Sequence, residues 1–422
     1  MRLKHFSLVV GAVLALTVLT GCPDRRENTL VVWSFTNEIE RMIEMFDVEA
    51  AIGMEIDYTL IPSDQFTDRL DPALLAGVRV APDVFALESA FVRAYIESGL
   101  LLDLTELYEA VRNSVIRYPV EIATHNGRVY GMSWQAAPGA MFFRRSIARE
   151  LLGTDDPAVV QTYFDNWYLF LETAQRMSDD SGGRVVVVSA VDDLGFPFYA
   201  SRDRPWVVDG ELYVDPVLLD YMRIARTLRD NGLDGRAMQW SESWFAGMRG
   251  ELADELGNRI DVFSYFLPTW GLHYVLAEQA PETAGDWAMI PGPASWFWGG
   301  TWLVAYRDTR HPEVAKEFIR LLTTNEDNLY RWATETGDFV NNLNVINRIL
   351  ETGTPNAFLG GQDHYAEFAA MAPYIDGSII QGTDQTIQSL FLEAVNQYVH
   401  AESTMEEALD MFRAQVRALL GF

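Results

Sequence analysis

The stretch that decides the fold is LVVWSFTNEIERM, residues 30–42, in which a short apolar run leads directly into helical spacing. Its first four residues are continuously apolar, which is typical of a strand buried on both faces. Apolar residues then recur three to four positions apart at Ile39, Ile43 and Phe46, which predicts a helix over residues 38–51. A strand followed at once by a helix is the first unit of an α/β fold.

The same alternation continues to residue 98. Residues 54–61 alternate apolar with polar and predict a second strand, and Ser63 can cap a helix through residue 76. A third strand is predicted over 83–87 and a third helix over 91–98. Strands that alternate with helices predict a parallel sheet with right-handed crossovers.

Polar and aromatic side chains follow the three predicted strands. Ligands of such sheets bind outside the carboxyl ends of the strands, where the following loops converge. The loops and strand ends here carry Trp33, Asn37, Asp64, Glu88 and Ser89. They combine an aromatic face with hydrogen-bonding groups, and so predict a binding site.

Composition limits what the protein does. A chain of 422 residues is too long for one typical core and suggests two domains. Its formal charge of −28 repels phosphate backbones, which argues against nucleic-acid binding and, more weakly, against an anionic ligand. The 12 tryptophans invite a search for a site that needs flat apolar faces.

The N-terminus has the pattern of an exported protein. Residues 6–20 are uncharged and mostly apolar, which fits a signal peptide over residues 1–21 better than a membrane span. The run Leu-Thr-Gly-Cys that ends at Cys22 resembles the bacterial lipobox, which implies lipidation of Cys22 and a short tether over 22–29. A plain signal peptide or an uncleaved anchor is the alternative. Cys22 is the only cysteine, so no disulfide can form within the chain.

Signatures of catalysis or metal binding are missing from the sequence. The six histidines form no HExxH or similar zinc pattern, and no GxSxG, GxGxxG or phosphate-binding loop is present. The carboxylate pairs at 155–156 and 192–193 are interpreted as turns or helix starts. We therefore expect no enzymatic activity, no metal and no cofactor.

Six tryptophans lie close to Gly, Pro, Ser or Asp in the sequence: Trp206, Trp240, Trp244, Trp270, Trp296 and Trp298. An indole ring covers the C–H face of a sugar, while carboxylates and amides bind its hydroxyl groups. Any one tryptophan can instead pack in a core. Trp298 stands out because Gly299 and Gly300 follow it and permit a close approach of the backbone.

Four segments resemble a known family in order and spacing. They are residues 30–42, APDVFALESAFVRAYIESGLLLDLTEL (81–107), GRVYGMSWQAAPGAMFFRRS (127–146) and WFWGGTWLVAYRDTRHPEVAKEFI (296–319). They are similar to the extracellular solute-binding proteins of carbohydrate ABC importers, the family of the maltose-binding protein. Residues 196–206 depart from the maltose-binding pattern, so we do not expect maltose as the ligand.

The resemblance implies a type II periplasmic-binding-protein fold, with two α/β lobes, a mostly parallel sheet in each, and a hinge of three crossings. Lobe one would comprise residues 30–126 and 295–344. Lobe two would comprise residues 127–294 and 345–422. The stretch SWFWGGTW, residues 295–302, would cross between the lobes at the floor of the cleft, so that its aromatic rings can face a ligand.

The resemblance also implies ligand contacts. They are safest after the strands of lobe one, at Trp33, Asn37, Asp64 and Glu88. A looser set lies where the family commonly places contacts: Trp134, Tyr199, Arg202, Trp240, Trp270, Trp298, Gly299 and Asp338.

The function implied is that of a lipid-anchored, non-enzymatic receptor on the periplasmic or extracellular face of a membrane. It would capture a neutral sugar or oligosaccharide as a monomer and deliver it to ABC permease subunits. Two alternatives remain open at this point. One is an exported glycan-active enzyme, and the other is a sugar-sensing lipoprotein without a transport role.

Overall fold

The computed structural model describes residues 28–421. The predicted signal peptide and the lipidation site at Cys22 lie outside these residues. The strands are β1 Thr29–Ser34, β2 Glu55–Leu60, β3 Val84–Glu88, β4 Thr124–His125, β5 Arg128–Val129, β6 Met132–Ser133, β7 Gly139–Arg144, β8 Val185–Val188, β9 Val207–Val208, β10 Glu211–Leu212, β11 Asp261–Pro268, β12 Trp287–Ile290 and β13 Thr301–Ala305.

The helices cover most of the remaining chain. They are α1 Glu38–Met45, α2 Val48–Ile52, α3 Ser63–Ala76, α4 Val92–Glu97, α5 Thr105–Val111, α6 Arg117–Ile122, α7 Arg145–Leu152, α8 Pro157–Gln161, α9 Trp167–Asp180, α10 Gly195–Ala200, α11 Pro216–Asp230, α12 Glu242–Arg249, α13 Thr269–Gly271, α14 Ala277–Gln279, α15 Pro312–Thr323, α16 Glu326–Thr336, α17 Leu343–Thr352, α18 His364–Met371, α19 Asp384–Val399 and α20 Met405–Leu420. The helix predicted over 38–51 is two helices, because Asp47 between them adopts φ 50°.

Two main sheets form the centres of two lobes. The first has the strand order β2-β1-β3-β13-β6, and the second has the order β12-β7-β11-β8. Strands β1, β2 and β3 run parallel, as the sequence pattern predicts. The α/β, two-lobed architecture is confirmed.

Both sheets are mixed, whereas the resemblance implied mostly parallel sheets. In the first, β13 runs antiparallel to β3 and to β6, and in the second β7 runs antiparallel to β11 and β12. The antiparallel direction of these strands follows from the point at which the chain enters each sheet. Strands β13 and β7 begin directly after segments that cross between the sheets, so they start at the edge where β3 and β11 end.

Buried apolar side chains fill two cores. Successive residues of β7 and β11 point to opposite faces of the second sheet. Phe142 and Tyr265 contribute to a core that continues into the first sheet, and their neighbours Phe143 and Phe266 contribute to a separate core under α9, α11, α19 and α20. Because both faces of the second sheet are covered, the ends of its strands remain available to form a site.

Three crossing segments lie side by side between the sheets. Residues 134–138 pair with residues 339–341 through Ala136 N–H to Phe339 O at 3.0 Å and Asn341 N–H to Trp134 O at 2.7 Å. On its other side the first segment pairs with 296–298, through Trp298 N–H to Ala137 O at 3.2 Å. A narrow ribbon of three segments is the geometry in which a hinge motion of two lobes is possible.

The predicted lobe boundaries can be set beside the sheets. Strand β6, Met132–Ser133, falls in the segment predicted for lobe two but pairs with β13 in the first sheet. The helical tail is shared, since α18 contributes to the core that includes the first sheet and α19 to the other. In residues 28–421, no helix combines the length and the apolar character needed to cross a bilayer.

Candidate ligand-binding cleft

A cleft of about 740 Å³ opens between the two sheets. Its walls combine aromatic rings, carboxylates and amides from both lobes. The lining residues include Phe35, Asp64, Glu88, Ser89, Asp192, Phe196, Tyr199, Gln239, Trp240, Trp270, Trp298, Gln385 and Gln388.

The ends of strands place much of this wall. Phe35 follows β1, Asp64 lies at the start of α3 after β2, and Glu88 is the last residue of β3. In the second sheet, Asp192 follows β8 and Trp270 follows β11. The carboxyl-end rule that predicts a site on the first sheet therefore holds for parallel strands of both sheets.

Three tryptophans form an aromatic corner in the cleft. Trp240 and Trp270 lie parallel, with centroids 6.2 Å apart and an interplanar angle of 6°. The ring of Trp298 stands edge-on to both, at 5.8 Å from Trp240 and 5.1 Å from Trp270. Phe196 stacks on Trp298 at 4.4 Å. The corner presents flat apolar surface from a loop (Trp240), the short helix α13 (Trp270) and a crossing segment (Trp298).

The consecutive aromatics of SWFWGGTW point in three directions. Trp296 is fully buried, and it lies against Gly139, where a Cβ atom would come within 2.2 Å of the indole. Phe297 packs on Tyr118 at 5.0 Å. Trp298 lines the cleft. Extended backbone at the crossing thus distributes three neighbours among the second core, the first core and the site.

Gly299 fixes the contact between two rings of the corner. The Trp270 indole Nε1–H donates to the Trp298 carbonyl at 2.9 Å. At Gly299 the backbone has φ 79°, and a Cβ atom would come within 2.6 Å of that indole nitrogen. Only glycine satisfies both the left-handed conformation and the close approach.

Trp240 is held in an unusual backbone conformation. Its φ is 68°, which costs a bulky residue energy and persists only where neighbours enforce it. The neighbouring Gln239 donates its N–H to Asp192 at 3.0 Å and its side-chain amide to Asp193 at 3.3 Å. Trp240 is 50% exposed and lines the cleft, so part of its aromatic surface is accessible to a ligand.

Glu88 is the best-connected carboxylate of the wall. It accepts from the Ser89 hydroxyl at 2.6 Å and from the Ala90 N–H at 2.9 Å. Burial raises the pKa of Glu88, and these hydrogen bonds oppose the shift. Burial likewise raises the pKa of Asp192.

A second compartment of about 290 Å³ adjoins the cleft and shares Glu88 and Trp270 as walls. It is lined by Asn37, Glu38 and Tyr274 among others. The Tyr274 hydroxyl donates to Glu38 at 3.3 Å, which links the two lobes. Burial, with Asp338 nearby, raises the pKa of Glu38 to about 7.

Eight of the predicted contacts line the cleft, the second compartment or a small recess beside Trp298: Asn37, Asp64, Glu88, Tyr199, Trp240, Trp270, Trp298 and Gly299. The structure brings these residues together from both lobes and from the crossing segment. Their role in binding stays a prediction.

Four predicted contacts lie behind the walls instead. Trp33 packs against the first core. Trp134 is fully buried and donates its indole N–H to Asp338, which accepts a second indole N–H from Trp332. Arg202 is 4% exposed and pairs with Asp384 at 2.8 Å. The polar groups of Trp134, Asp338 and Arg202 thus have partners inside the protein, although one guanidinium nitrogen of Arg202 has none among the described residues.

Several lining residues escape sequence reasoning. Asp192 follows the buried strand β8, and the carboxyl-end rule could have found it. Phe196 lies in the short helix α10 and Gln239 in a loop, and neither has a comparable signal. Gln385 and Gln388 share one face of α19, three residues apart, within a helical tail that has no evident link to the site.

The chain matches the family described as bacterial extracellular solute-binding protein over residues 42–352. It is also 22% identical over 362 residues to the arabinooligosaccharide-binding protein of Bacillus subtilis strain 168, covering 78% of each chain. The family match includes all three crossing segments.

Two solved structures are similar in fold. The sugar-binding protein MalE from Xanthomonas citri has a TM-score of 0.75 at 15% identity, over 93% of this chain and 97% of that one. The ABC transporter associated binding protein from B. animalis subsp. lactis Bl-04, in complex with β-1,6-galactobiose, has a TM-score of 0.69 at 21% identity, over 92% and 96%. With its family match over most of its length, this chain belongs to the bacterial extracellular solute-binding proteins.

Proposed function

We propose that this protein is the substrate-binding component of an ABC importer, and that it captures a sugar or oligosaccharide in the cleft between its lobes. The observation that carries the proposal is the corner of Trp240, Trp270 and Trp298 beside Asp64 and Glu88. Indole faces cover the C–H surfaces of sugar rings, and carboxylates accept from hydroxyl groups.

The size of the cleft supports a ligand larger than one sugar ring. Its volume of about 740 Å³ lies in the upper part of the range of ligand pockets, roughly 300–1,000 Å³. The adjoining compartment, which shares Glu88 and Trp270 with the cleft, offers further space for a ligand. The names of the Bacillus subtilis relative and of the galactobiose complex support an oligosaccharide in the same way.

Delivery would rest on closure of the lobes around the sugar. We take lobe one as residues 30–126 and 295–344, and lobe two as residues 127–294 and 345–422. Lining residues come from both, so a sugar that touches both walls favours the closed arrangement by the difference in its contacts. The closed form would then dock on the permease.

The protein would act outside the cytoplasm. Its family is extracellular, which indicates export. We propose that the signal peptide, residues 1–21, is removed, that Cys22 carries a lipid, and that residues 22–29 tether a monomeric receptor to the membrane. Labelling cells with a radioactive fatty acid tests the anchor: the Cys22→Ser protein should take up no label.

A ligand screen tests the function. Residues 23–422 would be mixed with mono- and oligosaccharides, and thermal stability and tryptophan fluorescence would be followed. A ligand that binds the folded state raises the melting temperature, and the tryptophan corner should report its binding. A shift with one sugar class supports the proposal. Flat responses to all sugars, or turnover of the sugar into products, would contradict it.

A further inference from the structure

The charges of the cleft are one-sided. Its lining includes the carboxylates of Asp64, Glu88 and Asp192, and the adjoining compartment adds Glu38. No lysine, arginine or histidine is among the described residues that line either space or the recess beside Trp298. A ligand in this cleft meets negative charge without a positive group to balance it.

The three carboxylates of the main cleft accept hydrogen bonds or face the cleft, but they have no charged partner of opposite sign in salt-bridge contact within residues 28–421. Salt bridges elsewhere in residues 28–421 are frequent, but none includes Asp64, Glu88 or Asp192. Arg202, the cation predicted for the site, is neutralised by Asp384 behind the wall. Within the described residues, a salt bridge to the cleft carboxylates is therefore left open for a cationic group of a ligand.

In the part of the chain that the structure describes, the tryptophans of the cleft also differ from other tryptophans in having no cation over their rings. Outside the cleft, three indole rings have a guanidinium over one face at about 5 Å: Trp206 under Arg202, Trp287 under Arg144 and Trp332 under Arg41. Among the described residues, no such cation covers the corner of Trp240, Trp270 and Trp298. Indole faces attract cations through their quadrupole, and a corner of several rings does so together.

We propose that the sugar bound in this cleft carries a protonated amino group, so that the substrate class is an amino-sugar oligosaccharide. This rests on the proposed function and narrows it, because the family resemblance implied a neutral sugar. The sugar rings stack on the tryptophans, and the ammonium group lies between an indole face and the carboxylates of Glu88 and Asp64. An ammonium group next to Glu88 supplies the opposite charge that this partly buried carboxylate lacks.

The test uses matched sugars that differ at one atom group. Di- to tetrasaccharides of the gluco and galacto series would be compared as 2-hydroxyl, 2-amino and 2-acetamido forms by calorimetric titration. We expect the amino form to bind at least about tenfold more tightly than the other two at low salt, as for a charge-assisted contact. The advantage should shrink in concentrated salt, because screening weakens charge attraction.

Variants that remove one carboxylate each test which side chains cause the preference for the amino form of the sugar. Glu88→Gln and Asp64→Asn should each reduce the advantage of the amino form several-fold while neutral forms change less. Glu313→Gln is the matched control, since its side chain is 82% exposed on α15 and outside the cleft lining.

Three results would decide against the inference. A hydroxyl or acetamido form that binds as tightly as the amino form would overturn it and leave the proposed function standing. The same holds if the amino advantage survives in both variants. Binding of putrescine without binding of any sugar would overturn the proposed function, and the amino-sugar assignment with it.

Discussion

Trp296 and Trp298 are two residues apart and belong to different parts of the molecule. Trp296 is fully buried against Gly139 in the second core, whereas Trp298 shares the cleft corner with Trp240 and Trp270. One ring fills volume and the other presents a face. Both residues are tryptophans, so residue type alone does not tell a core side chain from a ligand-facing one. The residues that the fold places against each ring do.

The same division runs through the other tryptophans. Most buried indoles donate their N–H to a fixed partner, as Trp244 does to Asp193 and Trp302 to the Pro119 carbonyl. Trp270 of the cleft also donates, but to the backbone of its neighbour in the corner. Stability should therefore depend on the buried set and ligand affinity on the cleft set.

The largest effect should come from Trp296→Ala. The change leaves a cavity in a core that closes around this ring, so we expect the free energy of unfolding to fall by about 3–5 kcal/mol. Urea unfolding measures it. The folded fraction should keep its affinity for sugar. A fall of less than about 1 kcal/mol in the free energy of unfolding would contradict the structural role assigned to Trp296.

Trp298→Ala should reverse this pattern. Loss of a stacking face should weaken sugar binding about thirtyfold, or about 2 kcal/mol. The free energy of unfolding should change far less than in Trp296→Ala, because the ring lies at the cleft surface. Titration calorimetry and urea unfolding would be carried out on both variants. If affinity and the free energy of unfolding fell equally in the two, the contrast between Trp296 and Trp298 would be wrong.

Gly299→Ala should have an intermediate effect. The new Cβ atom strains the backbone at φ 79° and meets the Trp270 indole nitrogen, so both stability and affinity should fall, stability by about 1–2 kcal/mol. Gly183→Ala is the matched control, because φ is 82° there and no atom lies within 4 Å. The control should lose similar stability and no affinity. Equal affinities in the two variants would contradict a role for Gly299 in the corner.

The smallest effect concerns pH. Burial raises the pKa of Glu88, so this side chain holds its proton to a higher pH than a free glutamate does. If the ionised carboxylate accepts from the ligand, affinity should fall a few-fold as the pH is lowered through that pKa. Glu88→Gln should flatten the profile. An unchanged slope in the variant would assign the titration to another group, such as Asp192 or Glu38.

The α/β class and the first sheet follow from the sequence because local periodicity determines them. Residues 30–98 alternate strands and helices, and the carboxyl-end rule then places Asp64 and Glu88 at one edge. The antiparallel direction of β7 and β13 does not follow, because it depends on where the crossing segments enter the sheets.

The site itself is predicted only in part. Six tryptophans lie near turn-forming residues, yet Trp206, Trp244 and Trp296 are buried and only the other three line the cleft. Local sequence cannot separate them, since the deciding partners come from far along the chain. For Trp134, the deciding partner is Asp338, 204 positions away.

A crystal structure of the protein with the tightest sugar from the screen tests the central claim most directly. We predict sugar rings stacked on Trp298 and on Trp240 or Trp270, with hydroxyl or amino groups within hydrogen-bond distance of Glu88 or Asp64. Trp296 should keep its place against Gly139. A sugar bound elsewhere, or held in the cleft without contact to any of the three tryptophans, would contradict the account.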